Sequence, residues 1–149
     1  MTNGAHPGPL YPFATQRSGF QYFFYAKHHQ PNNTTDAQWA PALTQDEEFA
    51  VFDLADLNDL TEPNGDLFGL HRSPEKRILI LGTRGEQVAE FPATDHGQAW
   101  HGYPLFPIAK RGRGAKRKNP IPNEALDRME QAGLLKPQEK NRLKGGKPI

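Results

Sequence analysis

The sequence RILILGTRGEQVAEFPATDHGQAWHGYPLFPI, residues 77–108, decides the predicted fold. Residues 77–82 carry four consecutive apolar side chains, which is typical of a strand that is covered on both faces. Gly85 allows the chain to turn, because glycine accepts backbone conformations that other residues avoid. Residues 87–91 then return with a polar face. The pattern predicts a β-hairpin made of residues 77–82 and 87–91.

The neighbouring sequence extends this hairpin into an α+β fold. Residues 67–72 precede it as a further strand, which gives a small antiparallel β-meander of 67–72, 77–82 and 87–91. Two extended segments flank the meander: the aromatic stretch 20–26, and residues 100–108, where prolines oppose a helix.

Two helical regions complete the prediction. Residues 45–57 have a capping-box sequence and favour a helix, although the stretch 49–54 could also form a strand. After Pro122 the pattern predicts a C-terminal pair of short helices, with Gly133 ending the first and Pro137 opening the second.

Charge is strongly segregated along the 149 residues. Residues 1–108 contain 6 Lys or Arg and 13 Asp or Glu, a net charge of −7, whereas residues 109–149 contain 12 and 4, a net charge of +8. We interpret the chain as a single domain with three parts: an acidic, β-rich body (1–108), a basic linker (109–119) and a helical pair packed on the body (120–149).

Several classes of protein are excluded by composition and motif. The chain has no cysteine, which rules out disulfides and thiolate metal sites. It has no apolar run of about 20 residues and no secretory signal pattern, so we expect a cytoplasmic protein that does not contact membranes. It also lacks a P-loop, a GxGxxG fingerprint, a GxSxG elbow and an HExxH motif. Neither a metal nor a cofactor is predicted.

One set of residues suits catalysis. It comprises His71, Arg84, Asp95, His96 and His101. Imidazole and carboxylate groups suit acid–base chemistry near neutral pH, and an arginine can hold a phosphate or carboxylate. These residues support an alternative function as a small hydrolase or nuclease. His96 and His101 are five residues apart, however, and an uninterrupted strand would place them on opposite faces.

The preferred interpretation rests on the basic segment. Lys110, Arg111, Arg113, Lys116, Arg117 and Lys118 place six cations in nine residues. Such a segment releases counterions when it binds nucleic acid, and it can also bind an acidic protein. Trp100 and Tyr103 lie just before it and could extend the partner-binding surface, or they could cover the sheet. The sequence therefore favours a non-enzymatic binding or regulatory protein with an acidic partner.

Overall fold

A computed structural model describes residues 8–33, 35–95, 97–105 and 121–149. Within these ranges the predicted α+β fold is confirmed: three antiparallel strands form one open sheet, accompanied by three α-helices. In chain order the elements are a 3-10 turn (Ala26–His28), α1 (Gln45–Leu57), β1 (Leu67–Gly69), β2 (Val88–Phe91), β3 (Tyr103–Leu105), α2 (Asn123–Gln131) and α3 (Pro137–Lys144). None of the helices in these ranges combines the length and apolarity needed to cross a membrane.

The stretch that could have been helix or strand is helix α1. Its capping box forms as predicted: the Thr44 hydroxyl accepts from the Glu47 amide (3.0 Å), and the Glu47 carboxylate accepts from the Thr44 amide (2.9 Å). Phe49 and Phe52 are buried on its inner face, whereas Leu57 is 47% exposed. The phenylalanine stripe therefore fixes which side of the helix faces the core.

The sheet has the order β1-β2-β3. Leu67 pairs with Phe91 and Gly69 with Ala89, while Ala89 pairs on its other side with Pro104 of β3. Helix α1 packs closely on β1 at Gly69, where a Cβ atom would lie 2.9 Å from the Val51 carbonyl oxygen. This close approach brings the helix onto the sheet.

The predicted hairpin of 77–82 and 87–91 is wrong, because residues 77–82 are not a strand of this sheet. Only the turn next to residues 87–91 forms, where the Leu81 amide donates to the Glu86 carbonyl (2.6 Å). The other backbone bonds of 77–82 go elsewhere: the Leu79 amide donates to the His71 carbonyl (2.8 Å), and the Leu81 carbonyl accepts from the Ala40 amide (2.7 Å). Ile80 is 51% exposed, so the segment is not covered on both faces. β1 therefore pairs directly with β2, and the predicted strand 67–72 is shortened to Leu67–Gly69.

Of the two predicted flanking segments, 20–26 and 100–108, the first lies outside the three-stranded sheet and the second contributes a strand to it. The aromatic stretch runs extended through isolated bridges, with Tyr22 parallel to Trp100, and ends at the 3-10 turn that begins at Ala26. In the second segment, Tyr103–Leu105 is the third strand of the sheet instead of a flanking piece. Residues 106–108 lie outside the described residues.

The N-terminal arm, from residue 8 onward, is fixed to α1 by a row of carboxylates. Tyr11 donates to Asp46 (2.7 Å), Gln16 to Asp53 (2.8 Å) and Ser18 to Asp56 (2.6 Å). These three acids lie along one side of the helix. Together with the Tyr11 ring, which stacks on that of Phe49 (4.2 Å between centroids), these polar contacts order an arm that has little apolar periodicity of its own.

The C-terminal helices end and begin where the sequence predicts. Gly133 has a φ of +79° after α2, and α3 starts at Pro137. Their buried side chains belong to the same hydrophobic cluster as the body: Ile121, Ala125, Leu126, Met129, Leu135 and Leu143. Ion pairs from Arg128 to Glu62 and from Arg72 to Glu139 also join the helices to the body.

Gly102 is a point where the packing leaves no room for a side chain. A Cβ atom there would lie 2.2 Å from the ring of Phe91, which is fully buried. We expect Gly102→Ala to lower the free energy of unfolding by about 1–3 kcal/mol, the usual cost of overpacking a core. Urea denaturation monitored by circular dichroism measures this change.

Gly145→Ala is the matched control for this substitution. Gly145 has a φ of −81°. The atoms nearest to a Cβ added at this position would be two carbonyl oxygens, each 3.5 Å away. The alanine therefore fits there, and the unfolding free energy should stay within about 0.5 kcal/mol of the parent value. Equal destabilisation by both substitutions would contradict this account of Gly102.

Candidate functional site

The extended segment 97–103 presents side chains on two sides. The Trp100 ring lies on one side, 4.9 Å from the ring of Phe20. The His101 ring lies on the other, 5.0 Å from the ring of Tyr25, and Tyr103 follows on the same side as His101. This is the alternation expected of an extended backbone. It creates two distinct places where chemistry could occur.

On the Trp100 side lies an open cleft of about 500 Å³. Its described side-chain lining consists of two aromatic rings, two amides, a hydroxyl, a methyl group and one carboxylate: Phe20, Trp100, Gln21, Gln98, Thr94, Ala93 and Asp95. Of the predicted site residues, the structure brings Asp95 and Trp100 together here. Trp100 itself is only 7% exposed, so most of its ring belongs to the core.

On the other side lies a histidine–aromatic cluster, which consists of Phe23, Tyr25, His28, His101 and Tyr103. The rings of His28 and His101 are nearly parallel, with centroids 6.2 Å apart and an angle of 11°. The His28 ring also lies 5.2 Å from that of Tyr103. Nδ1 of His28 is 2.8 Å from the Ala37 carbonyl oxygen, and since a carbonyl only accepts, this nitrogen carries the proton.

The two histidines of the cluster are held uncharged near neutral pH. Burial lowers the pKa of His101 to about 4, and His28 and Lys27 act in the same direction. Burial also lowers the pKa of His28, against the opposing effect of the Ala37 carbonyl. The cluster can therefore accept hydrogen bonds or stack on a flat ligand, but its imidazoles supply no positive charge for an anion.

Tyr103 connects this cluster to a carboxylate. Its hydroxyl donates to Oε1 of Glu90 (2.8 Å), and burial together with this bond raises the pKa of Tyr103. Burial likewise raises the pKa of Glu90. Tyr103 is partly exposed and is the one predicted partner-binding residue, within the described ranges, that contributes to this cluster.

A second histidine network is one that sequence reasoning missed. Nε2 of His29 is 2.7 Å from Oε1 of Glu48, and the Tyr22 hydroxyl donates to the other oxygen of that carboxylate (2.5 Å). Nδ1 of His29 is 2.7 Å from the Tyr25 carbonyl oxygen. Glu48 is buried on α1, one turn before Phe52. An acid on the apolar stripe of a predicted helix is the signal that could have revealed the network.

This geometry requires one proton between His29 and Glu48. Nδ1 donates to a carbonyl, so Nε2 either is protonated and donates to the Glu48 carboxylate, or is neutral and accepts a hydrogen bond from the protonated carboxyl group. Burial by itself lowers the pKa of His29, but the bond and charge of Glu48 raise it above its usual value. Burial raises the pKa of Glu48, although its bonds to His29 and Tyr22 oppose that change. Both nitrogens of His29 are occupied, which indicates a structural role.

The remaining predicted residues lie apart from these groups. His71 is half-buried, and burial lowers its pKa. The negative charge of Glu47, at the start of α1, opposes this by favouring the protonated imidazole. Arg84 lies in the turn after residue 82, where its amide donates to Glu86 (2.7 Å). No hydrogen bond, ion pair or ring contact joins His71, Asp95 and His101 within the described ranges. His96 and residues 110–118 lie outside the described residues.

Metal binding has no support in the described part of the chain. No group of three or more His, Asp or Glu side chains is placed there to hold a metal ion. His28 and His101 supply at most two imidazoles, whereas a protein site for a transition metal uses three or four ligands.

Comparison with protein-family models, with curated protein sequences and with solved structures finds no match to this chain.

The pair of His29 and Glu48 makes stability depend on pH above neutrality. Because Glu48 raises the folded-state pKa of His29, the stabilisation that His29 contributes is fully present below pH 6.5 and is lost as the pH rises through that pKa. The Glu48→Gln variant keeps both hydrogen bonds without needing the shared proton. We expect its free energy of unfolding, measured in urea between pH 6.5 and 9, to change less with pH than that of the parent protein.

Glu75→Gln, which changes an exposed glutamate, is the control and should keep the parent slope. The histidines with lowered pKa values, including His28 and His101, affect stability only below pH 6.5, so they do not interfere in this window. An unchanged slope in the Glu48→Gln variant would show that the pair is not the source of the pH dependence.

The histidines should also titrate separately. NMR of the imidazole Cε1 protons is expected to place the midpoint of His101 near pH 4 and that of His29 above 6.5, because burial and Lys27 disfavour charge on the first while Glu48 favours it on the second. His29 is thus an internal reference in the same spectrum. Midpoints that coincide near 6.5 would mean that neither environment forms in solution.

Proposed function

We propose that this chain is a non-enzymatic binding or regulatory protein whose basic segment, residues 110–118, engages an acidic partner, either nucleic acid or an acidic protein. The observation that carries the proposal is the concentration of charge. Six Lys or Arg occupy nine residues and follow a body with a net charge of −7. A segment of this kind gains binding energy by releasing counterions from a polyanion.

The C-terminal helices strengthen this assignment, because most of their charge is neutralised within the fold. Residues 121–149 contain 6 Lys or Arg and 4 Asp or Glu, a net charge of only +2. Lys140 pairs with Glu130, and both Lys140 and Lys144 pair with Asp127. The positive charge of the C-terminal part is therefore concentrated in residues 110–118.

The body stays acidic although its carboxylates are in use. Asp46 and Asp53 accept from neutral donors of the arm, and Asp66 accepts from the Ala93 amide (2.8 Å). Bonds from neutral donors satisfy a carboxylate without cancelling its charge. The body should therefore repel a polyanion and leave the basic segment as the surface that makes contact.

The described fold holds both flanks of this segment. Leu105 ends strand β3, five residues before Lys110, and Ile121 is 1% exposed in the core, three residues after Lys118. A partner that binds the segment is thereby brought close to the body.

The hydrolase or nuclease alternative requires acid–base groups within hydrogen-bonding reach of each other in one concave site. The described groups do not supply this arrangement: Asp95 lines the cleft, while His101 lies on the opposite side of the extended segment. A pKa near 4 also makes His101 a weak base at neutral pH.

Replacing charges in the segment tests the proposal. We expect the triple variant in which serine replaces Lys116, Arg117 and Lys118 to bind a labelled single-stranded RNA 20-mer more weakly than the parent protein. Fluorescence anisotropy from 50 to 300 mM salt measures this binding. If all six cations contact phosphates, the parent slope of log K against log salt should be about −4, and the triple variant should show about half of this.

The matched control is the triple variant in which serine replaces Lys136, Arg142 and Lys147. It removes the same charge from exposed positions of the helical pair and should keep the parent slope. Equal weakening by the two triple variants would reject the segment as the binding site. Retention of poly-glutamate instead of RNA, lost in the segment variant alone, would identify the partner as an acidic protein.

A further inference from the structure

We propose that the cleft beside Trp100 binds a compact organic cation, an alkylguanidinium or alkylammonium group such as the end of an arginine or lysine side chain. The inference is independent of the basic segment, because it rests on residues of the acidic body. It concerns a cleft that the proposed function does not use.

The size and shape of the cleft suit a small group. Its volume of about 500 Å³ falls within the range of sites that bind small molecules, roughly 300–1,000 Å³. Residues 19–21 form one wall, and residues 93–95 together with Gly97 and Gln98 form the other. The second wall is a closed turn, in which the Gln98 amide donates to the Asp95 carbonyl (2.9 Å).

The aromatic part of the lining favours a flat or apolar cation. The ring centroids of Phe20 and Trp100 lie 4.9 Å apart, with 31° between the ring planes. The Trp100 ring also packs against that of Phe52, with the centroids 5.6 Å apart. These contacts fix the ring positions before any ligand arrives. Because Trp100 is only 7% exposed, the partly exposed Phe20 ring provides most of the aromatic surface of the cleft. Such a ring attracts a guanidinium or ammonium group through its quadrupole, and guanidinium also stacks on it.

The polar part of the lining decides the sign of the ligand charge. Asp95 is the one charged side chain among the described lining residues, and within the described ranges its carboxylate makes no hydrogen bond or ion pair. Gln21 and Gln98 add neutral donors and acceptors. With a body charge of −7 around it, the cleft should reject anions and accept a cation that Asp95 can bond directly.

NMR titration with matched probes tests this site. We expect butylguanidinium, and a capped Gly-Arg-Gly peptide, to cause saturable shifts of the amides of Gly19, Gln98 and Trp100 in the ¹⁵N-labelled full chain. The corresponding citrulline peptide has the same shape without the charge and should bind at least tenfold more weakly. Tighter binding of the peptide points to a protein side chain as the natural ligand, and tighter binding of butylguanidinium points to a free small molecule.

Two variants make the test specific. Asp95→Asn should raise the dissociation constant of both probes about tenfold, the usual loss for one hydrogen bond to a charged group. Glu75→Gln removes one exposed carboxylate elsewhere and should leave the dissociation constant of both probes unchanged. The absence of saturable shifts, equal binding of the arginine and citrulline peptides, or equal effects of the two variants would overturn the proposal. Spectra of the free variants verify that each is folded.

Discussion

The buried carboxylate of Glu48 links three parts of the fold. It lies on α1 and is 3% exposed, so it cannot obtain hydrogen bonds from water. Tyr22 and His29 supply the missing bonds, and His29 in turn bonds to the carbonyl of Tyr25. One acid thereby fixes the helix, the aromatic stretch and the residues that follow the 3-10 turn relative to each other. Loss of any member would leave a buried polar group unpaired.

The position of the aromatic stretch then determines how the later chain is placed. The amides of Phe23 and Trp100 bond across to the carbonyls of Trp100 and Gln21, so residues 97–103 lie beside it in an extended form. Gly102 fits against Phe91, and its carbonyl accepts from the indole of Trp39 (3.0 Å). This segment has the cleft on one side and the histidine–aromatic cluster on the other. Both the cleft and the histidine–aromatic cluster therefore depend on the contacts that keep this one segment extended.

The two proposals describe a molecule with opposite charges in separate places. The acidic body satisfies many of its carboxylates with neutral donors, which keeps its field negative and suits a cation in the cleft. The basic segment follows the body and suits a polyanion. Ligands of opposite sign would thus be directed to different surfaces of one small protein, and salt should weaken both interactions, the polyanion more strongly.

The sequence alone was sufficient for features that depend on local chemistry. The capping box of Thr44 and Glu47, the left-handed Gly133 and the helix start at Pro137 all formed where they were predicted, because each involves residues within one or two turns. The α+β class and the antiparallel sheet were also predicted correctly. The asymmetry of charge needs no structure, since it is a count of residues.

Tertiary structure alone decided which strands pair and which side chains meet. The apolar run at 77–82 had the composition of a sheet strand, but its backbone bonds go to His71, Ala40 and the turn residue Glu86. Tyr103–Leu105 takes the third place in the sheet. The contact of His29 with Glu48 spans 19 residues, and that of Phe20 with Trp100 spans 80. Such pairs depend on competition among distant backbone partners and on the space left between them. Local periodicity contains neither quantity.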